Sequence, residues 1–282
     1  IKQLLKKHPE IDNNILKRED HFISELNFLE TYIKNMAYWW RKHDKKHEHL
    51  ITENFRKHIA QGIINSASPQ SNCKYFLLNT PYTNNIHFFP KYFTDHKLIF
   101  IVRNAKDTVE SGVRSKFWTY EEGFLRWNKG AENILKYTAK HKNCIVIKYE
   151  DLYSATLNQL NEIFNYLELK ITEYPVNELE NIKIQGSSDV QNDGEWEYKN
   201  IEKTDAFSPL ERSASWSFFR KWRCEWICGK KSLSLGYEQI KIKKNIVYFF
   251  INIFLDSLFW VFRCKLKVEN KVIKNRALKS NL

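Results

Sequence analysis

Arg103 and Ser111, eight residues apart, have the side-chain types to grip one anion together. A guanidinium offers a planar fork of N–H donors to paired oxygens, and a hydroxyl adds one more donor. They lie in residues 97–115, KLIFIVRNAKDTVESGVRS. Leu98 to Val102 are five apolar residues, mostly β-branched or aromatic, which predicts a strand buried on both faces of a parallel sheet. Arg103 then stands at the strand's carboxyl end, where open α/β sheets place ligands. Asn104 and Asp107 are turn and N-cap residue types and predict a helix from about Thr108, with Ser111 in its first turns. That arrangement makes a phosphate site; the pair alone reads equally well as a surface arginine and an exposed helical serine.

Other groups could also do chemistry. Glu19, Asp20 and His21 form the first dense set of titratable side chains, which by residue type alone is a solvated loop. Residues 41–49, RKHDKKHEH, fit a metal site, a polyanion patch or a solvated helix face. Trp39 and Trp40 beside them suit core packing or stacking on a sugar ring. The five cysteines are scattered and odd in number, which argues against a disulfide framework or a zinc site. Cys224 and Cys228, one helical turn apart, are read as packing.

The string RNAKDTVES resembles the R-(D/N)-P-x-(D/E)-x-x-x-S signature of sulfotransferases that use 3'-phosphoadenosine 5'-phosphosulfate (PAPS). The resemblance implies that Arg103 and Ser111 grip the donor's 3'-phosphate, and that Ala105 stands where the family carries proline. IKQLLKKHPEI at the start resembles the helix that follows the family's phosphate loop. On that match the loop ends about two residues before Ile1, so the chain is expected to begin inside the domain, without its first strand and phosphate loop. A gap in the sheet and poor folding are then expected. The segment Glu19-Asp20-His21-Phe22 resembles an E-x-H-F-F motif of glycan sulfotransferases, which implies Glu19 as the base for the acceptor hydroxyl, with His21 beside it. Asn79 replaces the lysine of the family's K-(T/S)-P motif. YEDL at 149–152 resembles the family's V-x-Y-E-D-L, with Glu150 and Asp151 in structural roles. Gly186-Ser187-Ser188, FSPLERSASW at 207–216 and the LGY ending at Tyr237 resemble a GSS-type loop and a carboxyl-terminal region that close over the nucleotide, which implies Ser187 and Arg212 as further cofactor contacts.

The elements that must position these groups follow from pattern. Residues 25–65 look helical and 121–141 read as a long helix or a pair, 74–78 and 144–148 look like strands, residues 84–93 read as a helix before the central strand, and Leu157, Leu160, Ile163, Phe164 and Leu167 mark an amphipathic helix. The expected fold is α/β, a parallel sheet flanked by helices as in P-loop NTPases, over 1–238, followed by a basic and apolar tail over 239–282. At 282 residues with 43% hydrophobic and 15% aromatic residues, disorder and fibrous classes are excluded. The net charge of +12 favours anionic partners without choosing among them.

Residues 246–262, IVYFFINIFLDSLFWVF, are flanked by Lys241, Lys243, Lys244, Arg263, Lys265 and Lys267. A spanning helix needs about 20 apolar residues, and this run has 17 with a central Asp256. Asn252 and Asp256 fall on one face, so the helix could lie on an anionic membrane, pack on its own domain or a partner, or span. The resemblance thus implies PAPS as co-substrate, a hydroxyl acceptor, in particular a glycan, no metal and no nucleic acid. It implies a cytoplasmic, membrane-associated enzyme on a bacterial reading and the Golgi lumen on a eukaryotic one. Two alternatives stay open: a P-loop kinase, which needs GxxxxGK(S/T) and Mg²⁺-binding acids, and a non-catalytic or degenerate nucleotide-binding protein of the same fold.

Overall fold

The computed structural model describes residues 5, 7–12, 32–33, 35, 38, 45–66, 74–77, 83, 86–177, 184–185, 200–201, 210–239 and 245–260. Two parallel strand pairs lie at its centre. β1 (Ile11–Asp12) pairs with β2 (Tyr75–Phe76), and β3 (Leu98–Val102) pairs with β4 (Cys144–Lys148) in the register Leu98 to Cys144 through Val102 to Lys148. Among the described residues no ladder joins the two pairs. A short antiparallel ribbon, β5 (Ile184–Gln185) with β6 (Asn200–Ile201), stands apart.

The helices are α1 (Lys45–Ser66), α2 (Phe89–Tyr92), α3 (Ala105–Arg114), α4 (Tyr120–Thr138), α5 (Tyr149–Ser154), α6 (Thr156–Leu167), α7 (Phe218–Ser234) and α8 (246–260). Side chains alternate across the β3–β4 pair. Ile99, Ile101, Ile145 and Ile147 join a core with Leu160, Ile163 and Phe164 of α6 and with Leu5 and Ile11. Phe100 and Val102 face the other way, into a core built with α3, α4 and α7. Both faces of the pair are covered, as expected of a parallel ladder made of apolar runs. Glycines let α3 touch α4: a Cβ added to Gly123 would stand 2.7 Å from Cγ1 of the buried Val109.

Several expected boundaries shift. α3 begins at Ala105 and not near Thr108, because Asn104 is the N-cap, its Oδ1 accepting from the Asp107 amide at 2.8 Å. Ala105 is therefore the first helical residue, a position whose N–H needs no intrahelical partner and where proline is at home. The helix expected over 84–93 is reduced to a 3₁₀ turn, Ile86–Phe88, and the single turn of α2. Leu157 is exposed while Leu160, Ile163, Phe164 and Leu167 are buried.

α8 packs on its own domain through its polar face. The Arg223 guanidinium of α7 is buried, donating to Glu121 Oε2 at 3.0 Å, to Asn252 Oδ1 at 2.9 Å and to Asp256 Oδ1 at 2.8 Å. Trp226 Nε1 donates to the second Asp256 oxygen at 2.9 Å. No helix among the described residues is long and apolar enough to cross a membrane.

Candidate functional site

The tip of β3 carries the site. Its backbone turns sharply into α3, and Glu150 of α5 fixes that turn by accepting from the Asn104 amide at 2.9 Å and from Asn104 Nδ2 at 2.7 Å. Tyr237 closes the same corner: its hydroxyl lies 2.9 Å from both the Val102 carbonyl and Glu150 Oε2. Burial first, then the Glu150 charge, pushes the Tyr237 phenol well above its usual range, so it stays a neutral hydroxyl. Trp127 Nε1 donates to the Arg103 carbonyl at 2.9 Å from α4. With its backbone held on three sides, Arg103 projects from a fixed platform.

Its guanidinium is mostly buried, 5.2 Å above the Tyr149 ring and 3.8 Å from Asp107 Oδ2. Ser111, one face along α3, is buried and accepts from Arg212 Nη1 at 2.9 Å. Ser111 and Arg212 therefore meet across about a hundred residues of chain, and Arg212 is near enough to Arg103 to act on its charge. Burial and the neighbouring Arg212 charge lower the Arg103 pKa, against the opposing pull of Asp107. Two guanidinium groups repelling each other in a partly buried site gain from an anion between them.

Asp107 explains why Arg212 reaches Ser111. The Asp107 carboxylate is buried and accepts the Glu211 amide at 3.0 Å, the Ser213 amide at 3.0 Å and the Ser213 hydroxyl at 2.9 Å. These bonds bracket residue 212 on both sides, while Arg114 Nη2 donates to its carbonyl at 3.2 Å. Glu211 adopts a left-handed φ of 64°, so the tight turn is held by its contacts and not by glycine. Burial alone would raise the Asp107 pKa; the hydrogen bonds from Asn104 and Ser213 and the charge of Arg103 hold it below the ordinary carboxylate range. Three residues on, Glu110 accepts from Trp216 Nε1 and Arg114 Nε, both at 2.6 Å, and from the Tyr120 hydroxyl at 2.9 Å.

Of the predicted residues, Ser111 meets Arg212 through a hydrogen bond, and Arg103 stands at the β3 tip against Tyr149 and Asp107. Glu150 hydrogen-bonds Asn104 and Tyr237. Cys224 and Cys228 are in the apolar core, Cys228 donating to the Phe124 carbonyl at 3.4 Å. His49 in the basic stretch pairs with Glu53 at 3.4 Å on an exposed helix face. Glu19, His21, Trp39, Trp40, Asn79 and Ser187 lie outside the described residues. Sequence reasoning gave Asp107 and Glu110 no role in the site; the one available signal was that Asp107 occupies the acidic position of the signature motif.

A sulfotransferase family model matches residues 1–173, well over half of the chain. The chain belongs to the sulfotransferase family. No curated protein matches the sequence. The family transfers a sulfuryl group to hydroxyl acceptors and generally takes it from PAPS, and its fold is P-loop-like, in keeping with the parallel strands and flanking helices here. The match ends before Arg212, so the second guanidinium of the site lies beyond it.

Proposed function

We propose that this sulfotransferase takes its sulfuryl group from PAPS and delivers it to a carbohydrate hydroxyl. The observation that supports the reading is the hydrogen bond of Arg212 to Ser111 on α3, with Arg212 also near enough to Arg103 at the β3 tip to act on its charge. Donors in fixed positions, two of them charged, suit the dianionic 3'-phosphate that distinguishes the donor from ordinary adenine nucleotides. Ser111 and Arg212 are already hydrogen-bonded to each other, so little ordering remains to be done on binding.

PAPS supplies a sulfuryl group on a good leaving group, adenosine 3',5'-bisphosphate. The acceptor oxygen forms a bond to sulfur as the bond from sulfur to the 5'-phosphate oxygen breaks, and the hydroxyl proton passes to a base. The reading assigns that base to the Glu19 carboxylate, with His21 beside it, on the strength of the E-x-H-F resemblance. Arg103, Ser111 and Arg212 hold the far end of the nucleotide and set its register along the sheet edge.

Titration calorimetry of adenosine 3',5'-bisphosphate into the wild-type protein and Arg103→Ala tests the nucleotide assignment. Binding that falls at least tenfold in the variant supports it, and no binding by folded wild-type protein sinks it. Glu19→Gln tests the base separately: nucleotide affinity is expected to persist while sulfation of a glycan acceptor is lost. Undiminished turnover would remove Glu19 from the mechanism.

A further inference from the structure

We propose that α8 is a membrane-surface helix, whose outer face lies in the headgroup layer of a bilayer containing anionic phospholipid. The orientation of the helix is the reverse of what an ordinary surface helix shows. Its polar residues point inward, where Asn252 is fully buried and Asp256 meets Arg223, while its apolar residues point to solvent. Ile246, Phe250, Phe254, Leu258 and Trp260 are each more than half exposed. A soluble protein rarely leaves so continuous an apolar face uncovered.

The patch does not stop at one helix. Phe218 of α7 sits 5.8 Å from Tyr248 and is itself half exposed, and Trp226 packs edge-on to Phe249 at 5.6 Å. The aromatic surface therefore runs from α8 onto α7, and the Arg223 lock fixes the two helices as one face. The lock leaves α8 no freedom to roll its apolar side inward, because that would strip a buried guanidinium of two partners.

Charge selects the occupant. Ten of the chain's Lys and Arg residues, but only Asp256 and Glu269 among its acids, fall in residues 241–282, and Asp256 is already committed to Arg223. Lys241, Lys243 and Lys244 precede the helix, and Arg263, Lys265 and Lys267 follow it. An apolar, aromatic face bracketed by cations at both ends fits acyl chains below and phosphate headgroups around, and each cation near such a surface adds attraction. The apolar run of 246–262 has only 17 residues, fewer than the ~20 that a spanning helix needs, and the Arg223 contacts hold its Asn252 and Asp256 against the domain, so the face lies along the surface.

The test is co-sedimentation of the full chain with vesicles of phosphatidylcholine alone or with one-fifth phosphatidylserine, comparing wild type, F250E/F254E and K241E/K243E/K244E. Both Phe side chains are exposed, so the first variant should retain the wild-type circular dichroism melt. The expected result is binding to the anionic vesicles that drops by at least about tenfold in either variant, on neutral vesicles and at high salt. Absence of binding by folded wild type overturns the proposal. So does binding that F250E/F254E leaves unchanged, which would assign it to the basic segments alone. A dimer in light scattering that F250E/F254E dissociates, without vesicle binding, would make a second copy the occupant instead. None of these readouts involves the nucleotide site.

Discussion

Arg212→Ala should separate the 3'-phosphate from the rest of the nucleotide. In the wild type the Arg212 fork donates to Ser111 at 2.9 Å and stands beside the Arg103 charge, so an anion placed between them takes donors from both. A hydrogen bond to a charged group contributes about 1.5–3 kcal/mol, which at about 1.4 kcal/mol per decade is roughly a 12- to 140-fold loss of affinity for adenosine 3',5'-bisphosphate. Adenosine 5'-monophosphate, which lacks the 3'-phosphate, should lose less than about threefold. The ligand-free fold should barely notice. The lost contact to Ser111 is a term of about 0.5–1.5 kcal/mol, offset by relief of repulsion between two guanidinium groups, so Tm should move by no more than about 4 °C. Paired calorimetric titrations and a thermal melt give all three quantities. Equal losses for both nucleotides, or a large fall in Tm without ligand, would refute the assignment and make Arg212 a structural residue.

Arg223→Met should destabilise the protein by about 3–5 kcal/mol in urea unfolding, because it leaves the buried Glu121 carboxylate without its guanidinium. Adding Glu121→Leu should restore most of that loss, and a double variant no more stable than the single one would show that the ion pair is not the cause. Asp107 sets an acid limb: its pKa is depressed in the folded state, so its contribution is complete above the unfolded value of about 3.9 and disappears as pH falls through the lower folded value. The Tm difference between wild type and Asp107→Asn should therefore be constant at neutral pH and shrink below about pH 4; parallel melting curves down to pH 3 would contradict this.

What was legible in the sequence was local. The run from Leu98 to Val102 declared a strand because five apolar residues have no polar face to spare, and the cap residue Asn104 sits within three residues of the Asp107 amide that donates to it. Arg103 and Ser111 were found because a strand tip and the next helix are adjacent in the chain. The helix start was misplaced by three residues because Asn104 and Asp107 are both N-cap types, and only the observed bond from the Asp107 amide to Asn104 decides between them. The Arg223 lock was illegible for another reason. Asn252 and Asp256 announce a polar face but not which way it points, and a buried cation on α7 reverses the usual answer.

Three carboxylates on the β3–α3 and β4–α5 corners tie down one later segment, and they do so by different means. Glu110 and Glu150 hold specific side chains, Trp216 and Tyr237. Asp107 instead takes two backbone amides, at 211 and 213, besides the Ser213 hydroxyl. Backbone amides are supplied by any non-proline residue, so the two amide bonds that bracket residue 212 ask for no particular side chain, and only the Ser213 hydroxyl and the left-handed backbone at Glu211 add a demand. The turn then leaves the side chain at 212 open to selection by the proposed phosphate contact. On the proposed assignment Arg212→Lys is the more exacting variant. A lysine would keep the charge and the turn but lose the fork, so affinity for the 3'-phosphate should fall by an amount between wild type and Arg212→Ala. A lysine variant as tight as wild type would show that charge alone, without the paired geometry, holds the phosphate.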